Sequence, residues 1–290
     1  MKIYEIQNGL LLEGVKHFDA KHIFECGQCF RWNREEDDSY TGVAYGRVLN
    51  VKSDYDKGTV ILNNTNLKDF EDIWYKYLDL GRDYGLIKNE LSKDETLRSA
   101  TEYGRGIRIL NQEPWELLIS FIISANNNIP RISKIINVLS QTFGEPISYA
   151  GKTYYSFPTV DKLGTAEREQ IDLCRAGFRC KYIYQTSMMI YKGDVELEKV
   201  ALLDINAARK ELLRLAGVGP KVADCIMLFS MQKHEAYPLD VWVKRVTEYF
   251  YIHQDVSMNI IQDFAREKFG SLAGFAQQYL FYFARDQKIR

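Results

Sequence analysis

The chain has 290 residues, 46% hydrophobic and 27% charged, with a formal net charge of −1. That is room for two domains or one large one, within the ordinary globular range, and near-neutrality is by itself no signature of a polyanion partner. No apolar run reaches the roughly 18 residues that a membrane-spanning helix needs.

The opening MKIYEIQNGLLLEG has acidic and polar residues where a secretion signal would have an unbroken apolar core, so a cytoplasmic location is expected. QCFRWN (28–33), YTGVAYGRVLNVKSD (40–54) and GTVILNN (58–64) are β-branched and aromatic runs separated by turn residues. They predict a small antiparallel sheet. LKDFEDIWYKYLDL (67–80) has its apolar residues at helical spacing. From about residue 90 helices take over. They are predicted over 114–125, 130–144, 165–177, 179–193, 204–217, 221–232, 238–250, 257–270 and 271–288. The expected fold is α+β, with an N-terminal antiparallel β-sheet domain and flanking helices over 1–105 and an all-α body over 106–290.

Charge divides unevenly between these parts. Residues 1–100 hold 14 basic and 18 acidic side chains, and residues 101–290 hold 24 and 21. A polyanion would meet the second part. The five cysteines (Cys26, Cys29, Cys174, Cys180, Cys225) are odd in number, and Cys26 and Cys29 form one CxxC with no second pair. Reduced thiols and no metal site are expected, since the four histidines show no ligand spacing either.

The segment LRLAGVGPKVADCIMLF (213–229) sets two glycines and a proline between helices, with Lys221 in the first turn of the second helix. A helix N-terminus disfavours a cation by about 0.3–1 kcal/mol. The turn is either an ordinary αα-connection or a phosphate cradle. Two glycines favour the cradle, because unpaired amides beside a helix start grip a phosphate without reading sequence. Asp240 follows in YPLDVWVKR, in the first turn of the next helix, where a carboxylate is commonly a cap.

Taken together, LAGVGPKVADCI and AYPLDVWVKR resemble the helix-hairpin-helix-GPD superfamily of DNA glycosylases, and Lys221 resembles the lysine of its bifunctional members. GQCFRW (27–32), SFIISANNNIPRI (120–132), GFRCKYI (177–183) and GFAQQYLF (274–281) resemble, in order, segments of the eukaryotic-type 8-oxoguanine DNA glycosylases. This resemblance implies a bifunctional glycosylase/AP lyase acting on double-stranded DNA that contains 8-oxoguanine. Lys221 would be the nucleophile at C1′ of the flipped nucleotide and the Schiff-base amine, and Asp240 the essential carboxylate beside the developing oxocarbenium ion. The helix start and apolar neighbours would keep the amine neutral.

By the same resemblance, the Gly27 carbonyl accepts from the N7 hydrogen that oxidised guanine has and guanine lacks. Phe281 and Cys225 sandwich the base, and Gln277 reads its Watson–Crick edge. Cys225 lies four residues after Lys221, and Phe281 four after Gln277, so each pair shares a helix face. Without the resemblance, Gly27 reads as a turn glycine and Phe281 as core. Asn126 would fill the gap left by the base, Arg131 and Arg179 would donate to the opposite cytosine, and Phe178 would wedge beside it. Asn127 and Asn128 complete a polar run that alone reads as a loop.

Gly217, Val218, Gly219 and Trp242 would line the phosphates. Trp242 stands where the eukaryotic members have a histidine and cannot be cationic. Pro220 removes one backbone donor. No cofactor is implied. A structural cation on the hairpin carbonyls stays open, but no iron–sulfur cluster is expected, since no cysteine follows Cys225 where the endonuclease III type carries a four-cysteine loop. A monomer is expected. The non-enzymatic alternative, a DNA-binding helix-hairpin-helix module, would not need Asp240.

Overall fold

The computed structural model describes residues 1–287. Six strands, β1 (Lys2–Ile6), β2 (Gly9–Glu13), β3 (Trp32–Arg34), β4 (Tyr40–Ala44), β5 (Arg47–Asp54) and β6 (Thr59–Asn63), form one antiparallel sheet in the order β1-β2-β6-β5-β4-β3. Register places Leu10 opposite Leu62 and Val51 opposite Leu62. The alternation of β2, β5 and β6 therefore sends Leu10, Leu12, Leu49, Val51, Val60 and Leu62 into one core. Helix α1 (Ala20–Glu25), capped by Asp19, and the helical run α2 (Leu67–Asp69), a π-turn (Phe70–Trp74) and α3 (Tyr75–Tyr77) close that core.

The second core is helical. It is built by α4 (Tyr84–Leu91), α5 (Glu95–Tyr103), α6 (Pro114–Ser124), α7 (Ile129–Phe143), α8 (Val160–Gly164), α9 (Arg168–Asp172), α10 (Arg179–Tyr191), α11 (Leu197–Leu202), α12 (Ile205–Leu212), α13 (Pro220–Ser230), α14 (Val241–Thr247), α15 (Met258–Phe269) and α16 (Ala273–Asp286). A two-stranded hairpin, β7 (Pro146–Tyr149) with β8 (Lys152–Tyr155), lies between α7 and α8. Helix α6 is buried almost all round, as its apolar sequence predicts, and Pro114 opens it. Helices α4 and α5 precede residue 106 yet contribute Tyr84, Ile87, Leu91, Leu97 and Ala100 to the helical core.

Several predicted boundaries move. Of the strand expected over 28–33, only Trp32 and Asn33 are strand, in β3. Gln28 instead uses its side chain on backbone groups, donating to the carbonyls of Ile23 and Arg108 and accepting from Leu110 N. The helix expected over 165–177 reduces to Arg168–Asp172, capped at Glu167 rather than Thr165, and Arg175 at φ +57° lies beyond its end. The helix expected from residue 238 starts at Val241. The last predicted helix ends at Asp286, and Lys288 lies outside the described residues. No helix among the described residues is long and apolar enough to cross a membrane.

Candidate active site

Helix α13 starts at Pro220 with Gly219 as its N-cap, which puts Lys221 second in the helix. The two hairpin glycines differ. Gly217 sits at φ +79°, and a Cβ there would lie 2.7 Å from Tyr182 Cβ, so both backbone and packing require glycine. Gly219 is extended (φ −97°), a backbone conformation open to any residue. Nothing lies within 4 Å of where its Cβ would be. No neighbour in the fold excludes a side chain at Gly219, and the space it leaves faces solvent. The amides of Gly217, Gly219, Lys221 and Val222 have no hydrogen-bond partner among the described residues, whereas Val218 N donates to Leu215 O at 3.2 Å. Of the expected phosphate ligands, Val218 therefore has its amide taken up within the turn.

Lys221 Nζ lies 4.9 Å from the centre of the Phe121 ring. Sequence reasoning missed this partner, because Phe121 is one apolar residue in an apolar helix. The ring face attracts an ammonium by about 0.5–1 kcal/mol at exposed sites, which offsets the repulsion of the helix end. Phe121 also meets Phe30 at 5.4 Å, so the loop that follows Gly27 approaches the same ring.

Cys225 lies one turn beyond Lys221 and is 2% exposed. Burial pushes its thiol up to about 11, against the pull of the Lys221 ammonium, while the carboxylates of Asp224 and Asp240 push further up. Lysine and carboxylate thus act on one neutral thiol. Asp240 is the N-cap of α14: its Oδ1 accepts from Trp242 N at 2.9 Å and Val243 N at 2.8 Å. Both bonds fall on the same oxygen. Trp242 is half-buried, and its ring stands against Phe281.

Gly27, at φ +87°, comes from the sheet domain to meet α16. A Cβ there would lie 3.1 Å from Phe281 Cε1. The Gly27 carbonyl accepts no hydrogen bond among the described residues. On α16, Gln277 is 4% exposed, and its Oε1 is buried without a partner among the described residues. An unsatisfied buried amide oxygen is costly in a fold, which leaves it suited to a bound group. Gly27, Gln277 and Phe281 are therefore brought to one place.

The three asparagines divide their work. Asn128 caps α7, Asn127 Nδ2 donates to Ile123 O, and the exposed Asn126, at φ +49°, has no side-chain bond among the described residues. Arg179 is buried, with Nε and Nη2 on Ala125 O, Nη2 on Asn126 O and Nη1 on Ala176 O. Its guanidinium lies under the Phe178 ring at 4.4 Å. Phe178 is 60% exposed. Arg131 is exposed and makes no ion pair among the described residues. Farther along α10, Thr186 Oγ1 donates to Ala216 O at 2.8 Å, tying the Phe178 helix to the hairpin. A cleft of about 610 Å³ lined by Tyr45, Glu113, Trp115 and Phe157 lies elsewhere and holds none of these residues.

A two-glycine hairpin, a lysine just past it and a carboxylate capping the next helix define a helix-hairpin-helix protein with a reactive centre. The chain belongs to the HhH-GPD superfamily of base excision DNA repair proteins: residues 119–269 match that family, and residues 10–118 match the 8-oxoguanine DNA glycosylase N-terminal domain. It is 33% identical over 213 residues to a probable N-glycosylase/DNA lyase of Methanothermobacter thermautotrophicus, covering 67% of this chain and 68% of that one. It is 28% identical over 273 residues to the N-glycosylase/DNA lyase OGG1 of Arabidopsis thaliana, covering 89% and 75%. In structure it matches Clostridium acetobutylicum 8-oxoguanine glycosylase/lyase, crystallised with double-stranded DNA containing cytosine opposite 8-oxoG. That match has a TM-score of 0.97 and 49% identity, over 100% of this chain and 99% of that one.

Proposed function

We propose that the chain is a bifunctional DNA glycosylase and AP lyase that excises 8-oxoguanine, preferentially opposite cytosine, from duplex DNA in base excision repair. It would act as a monomer on DNA in the cytoplasm. The observation that carries this is the meeting of Gly27 with Phe281: from opposite ends of the chain, a residue whose carbonyl accepts no hydrogen bond among the described residues packs against an aromatic ring.

The free amides at Gly217, Gly219 and the start of α13 hold a backbone phosphate, and the open space at Gly219 lets it approach. The nucleotide is extruded, and Phe281 and Cys225 take the two faces of its base. Gly27 accepts from N7–H, and Gln277 bonds the Watson–Crick edge. Lys221 attacks C1′ as the neutral amine while the bond to N9 breaks; the base leaves with that bond's electron pair and takes up the proton that the newly bonded nitrogen sheds, and Asp240 offsets the positive charge growing on the sugar. Ring opening gives a Schiff base between Lys221 and C1′. Loss of a C2′ proton then expels the 3′ phosphate by β-elimination. Trp242 serves this site by packing on Phe281.

On the opposite strand, Asn126 enters the vacated space and Phe178 stacks beside cytosine. The free Arg131 donates to its N3 and O2 acceptors. Arg179, with four bonds to backbone carbonyls, chiefly holds Asn126 and Phe178 in place, and its remaining Nη1 hydrogen is left for the base. This chemistry is carried by side chains and uses no cofactor. A structural cation on the hairpin carbonyls would steady the phosphate cradle, and titration with monovalent salts at fixed ionic strength tests it. A duplex with one 8-oxoguanine, tested against each opposite base with and without borohydride, tests the whole proposal. Cleavage fastest opposite cytosine and a covalent trapped complex are expected. Equal excision opposite all four bases overturns the cytosine preference, and excision without trapping overturns the lysine mechanism.

A further inference from the structure

Helix α16 carries a second set of groups beside its base readers. Gln278, Phe281 and Arg285 fall at i, i+3 and i+7, one stripe of the helix. Gln278 is 3% exposed, and its Nε2 donates to Cys26 O at 2.7 Å. Arg285 Nη1 donates to Glu25 O at 2.9 Å. Phe281, between them, abuts Gly27. Two clamps on consecutive carbonyls thus bracket the ring that packs against the next residue.

The geometry matters because of where Gly27 sits. Its nitrogen shares a peptide plane with the Cys26 carbonyl, which Gln278 holds. Its own carbonyl belongs to the next plane, leading into Gln28. The plane after that one is fixed: Gln28 O accepts from Gln112 Nε2 at 2.8 Å, and the Gln28 side chain bonds Ile23 O, Arg108 O and Leu110 N. The Gly27–Gln28 plane thus hangs between two held planes, its carbonyl accepting no hydrogen bond among the described residues, and Gly27, in a backbone region where glycine moves freely, is its hinge on the Cys26 side. Without the clamp on Cys26, the first plane can turn, and the Gly27 carbonyl turns with it.

We propose that Gln278 is a positioning residue that aims the Gly27 carbonyl and thereby sets the discrimination of 8-oxoguanine from guanine. This rests on the functional reading above. The same helix then fixes both readers of the base, Gln277 directly and Gly27 through Gln278. A register shift of α16 would disturb both together.

Gln278→Met keeps length and burial but removes the donor, and Gln278→Ala serves as a second variant. Under single-turnover conditions, excision of 8-oxoguanine opposite cytosine should slow by about tenfold or more at saturating enzyme. Borohydride trapping on a preformed abasic site should stay within about twofold, because that substrate has no base to read. Hydrogen exchange of residues 23–29 in the DNA-free variant should accelerate, while that of α13 stays as in the parent. Equal losses on both substrates would make Gln278 merely structural and overturn the proposal. Unchanged excision, or unchanged exchange over 23–29, would overturn it as well. If the parent chain itself leaves 8-oxoguanine intact, the functional reading fails instead, and the exchange measurement alone decides whether Gln278 holds the Gly27 loop.

Discussion

The indole of Trp242 stands edge-on to the ring of Phe281, with centroids 5.0 Å apart and planes at 72°. The same residue gives its backbone N–H to Asp240 Oδ1. One residue thus joins the capping carboxylate to the ring that meets Gly27. Edge-to-face pairs contribute about 0.5–1.5 kcal/mol beyond their buried area, so Trp242→Ala should slow 8-oxoguanine excision by about two- to tenfold. Abasic-site cleavage should change little. Trp242→Phe keeps an aromatic ring but loses the indole N–H, and should stay near the parent. A loss of affinity in Trp242→Phe shared by undamaged and lesion duplex would point back to a phosphate contact through the indole N–H.

Asp240 is cap and candidate catalyst at once, and the two roles separate by substitution. Asn accepts the same two amide bonds, so Asp240→Asn should melt within about 1 kcal/mol of the parent yet lose about a hundredfold or more in turnover. Asp240→Ala should add a cap loss of about 0.5–2 kcal/mol. Thermal melts beside single-turnover rates measure both. Lys221→Gln should abolish borohydride trapping while still binding lesion duplex, because the hairpin amides remain.

Much of this was legible in sequence because the signals are local. The glycine pair, Lys221 and Cys225 lie within one turn and one helix, and Asp240 precedes an apolar run, so spacing puts them on their elements, while their roles came from the resemblance. Residues 28–31, just after the Gly27 turn, were misread as strand because what holds this loop is long-range: Gln28 bonds Arg108 and Leu110, and Gln278 bonds Cys26. No local period encodes such pairs, although two adjacent glutamines in the otherwise apolar GFAQQYLFYF are a visible oddity. Arg179 matched its motif, but its burial under Asn126 depends on a turn between α6 and α7 that only the fold supplies. Helices α4 and α5 joined the helical core because Tyr84 and Ala100 face it, and helical spacing by itself does not say on which core a helix packs.

The two hairpin glycines should respond differently. Gly217→Ala forces a Cβ into a left-handed backbone and into Tyr182, and should destabilise by about 1–3 kcal/mol. Gly219→Ala meets nothing in the free protein and should melt within about 1 kcal/mol of the parent. Its Cβ would project toward the bound phosphate, so duplex affinity should fall by about fivefold or more, for undamaged and lesion DNA alike. Melting curves and binding titrations at one fixed salt concentration check the pair. Full affinity in a folded Gly219→Ala protein would place the phosphate elsewhere.

Glu113 gives a stability signature independent of DNA. It caps α6 through Trp115 N and Glu116 N. Burial, with the charges of Glu116 and Glu198 adding to it, pushes its carboxyl from the ordinary 4.5 up to about 7. Between those values the folded chain binds a proton that the unfolded chain has released, so this group's contribution to stability falls as pH rises. His234, buried against Phe275 and lowered to about 4, runs the other way: its contribution is lost as pH falls from 6.5 toward 4. The parent curve mixes the two, and a Glu113→Gln variant separates them. Any cost of Gln at the cap is independent of pH, whereas the proton linkage disappears. Relative to the parent, Glu113→Gln should therefore gain about 1–3 kcal/mol in unfolding free energy between pH 5 and pH 8. Urea titrations at the two pH values measure it, and parallel pH dependences in the two proteins would mean that Glu113 ionises in the folded chain as it does in an unfolded one.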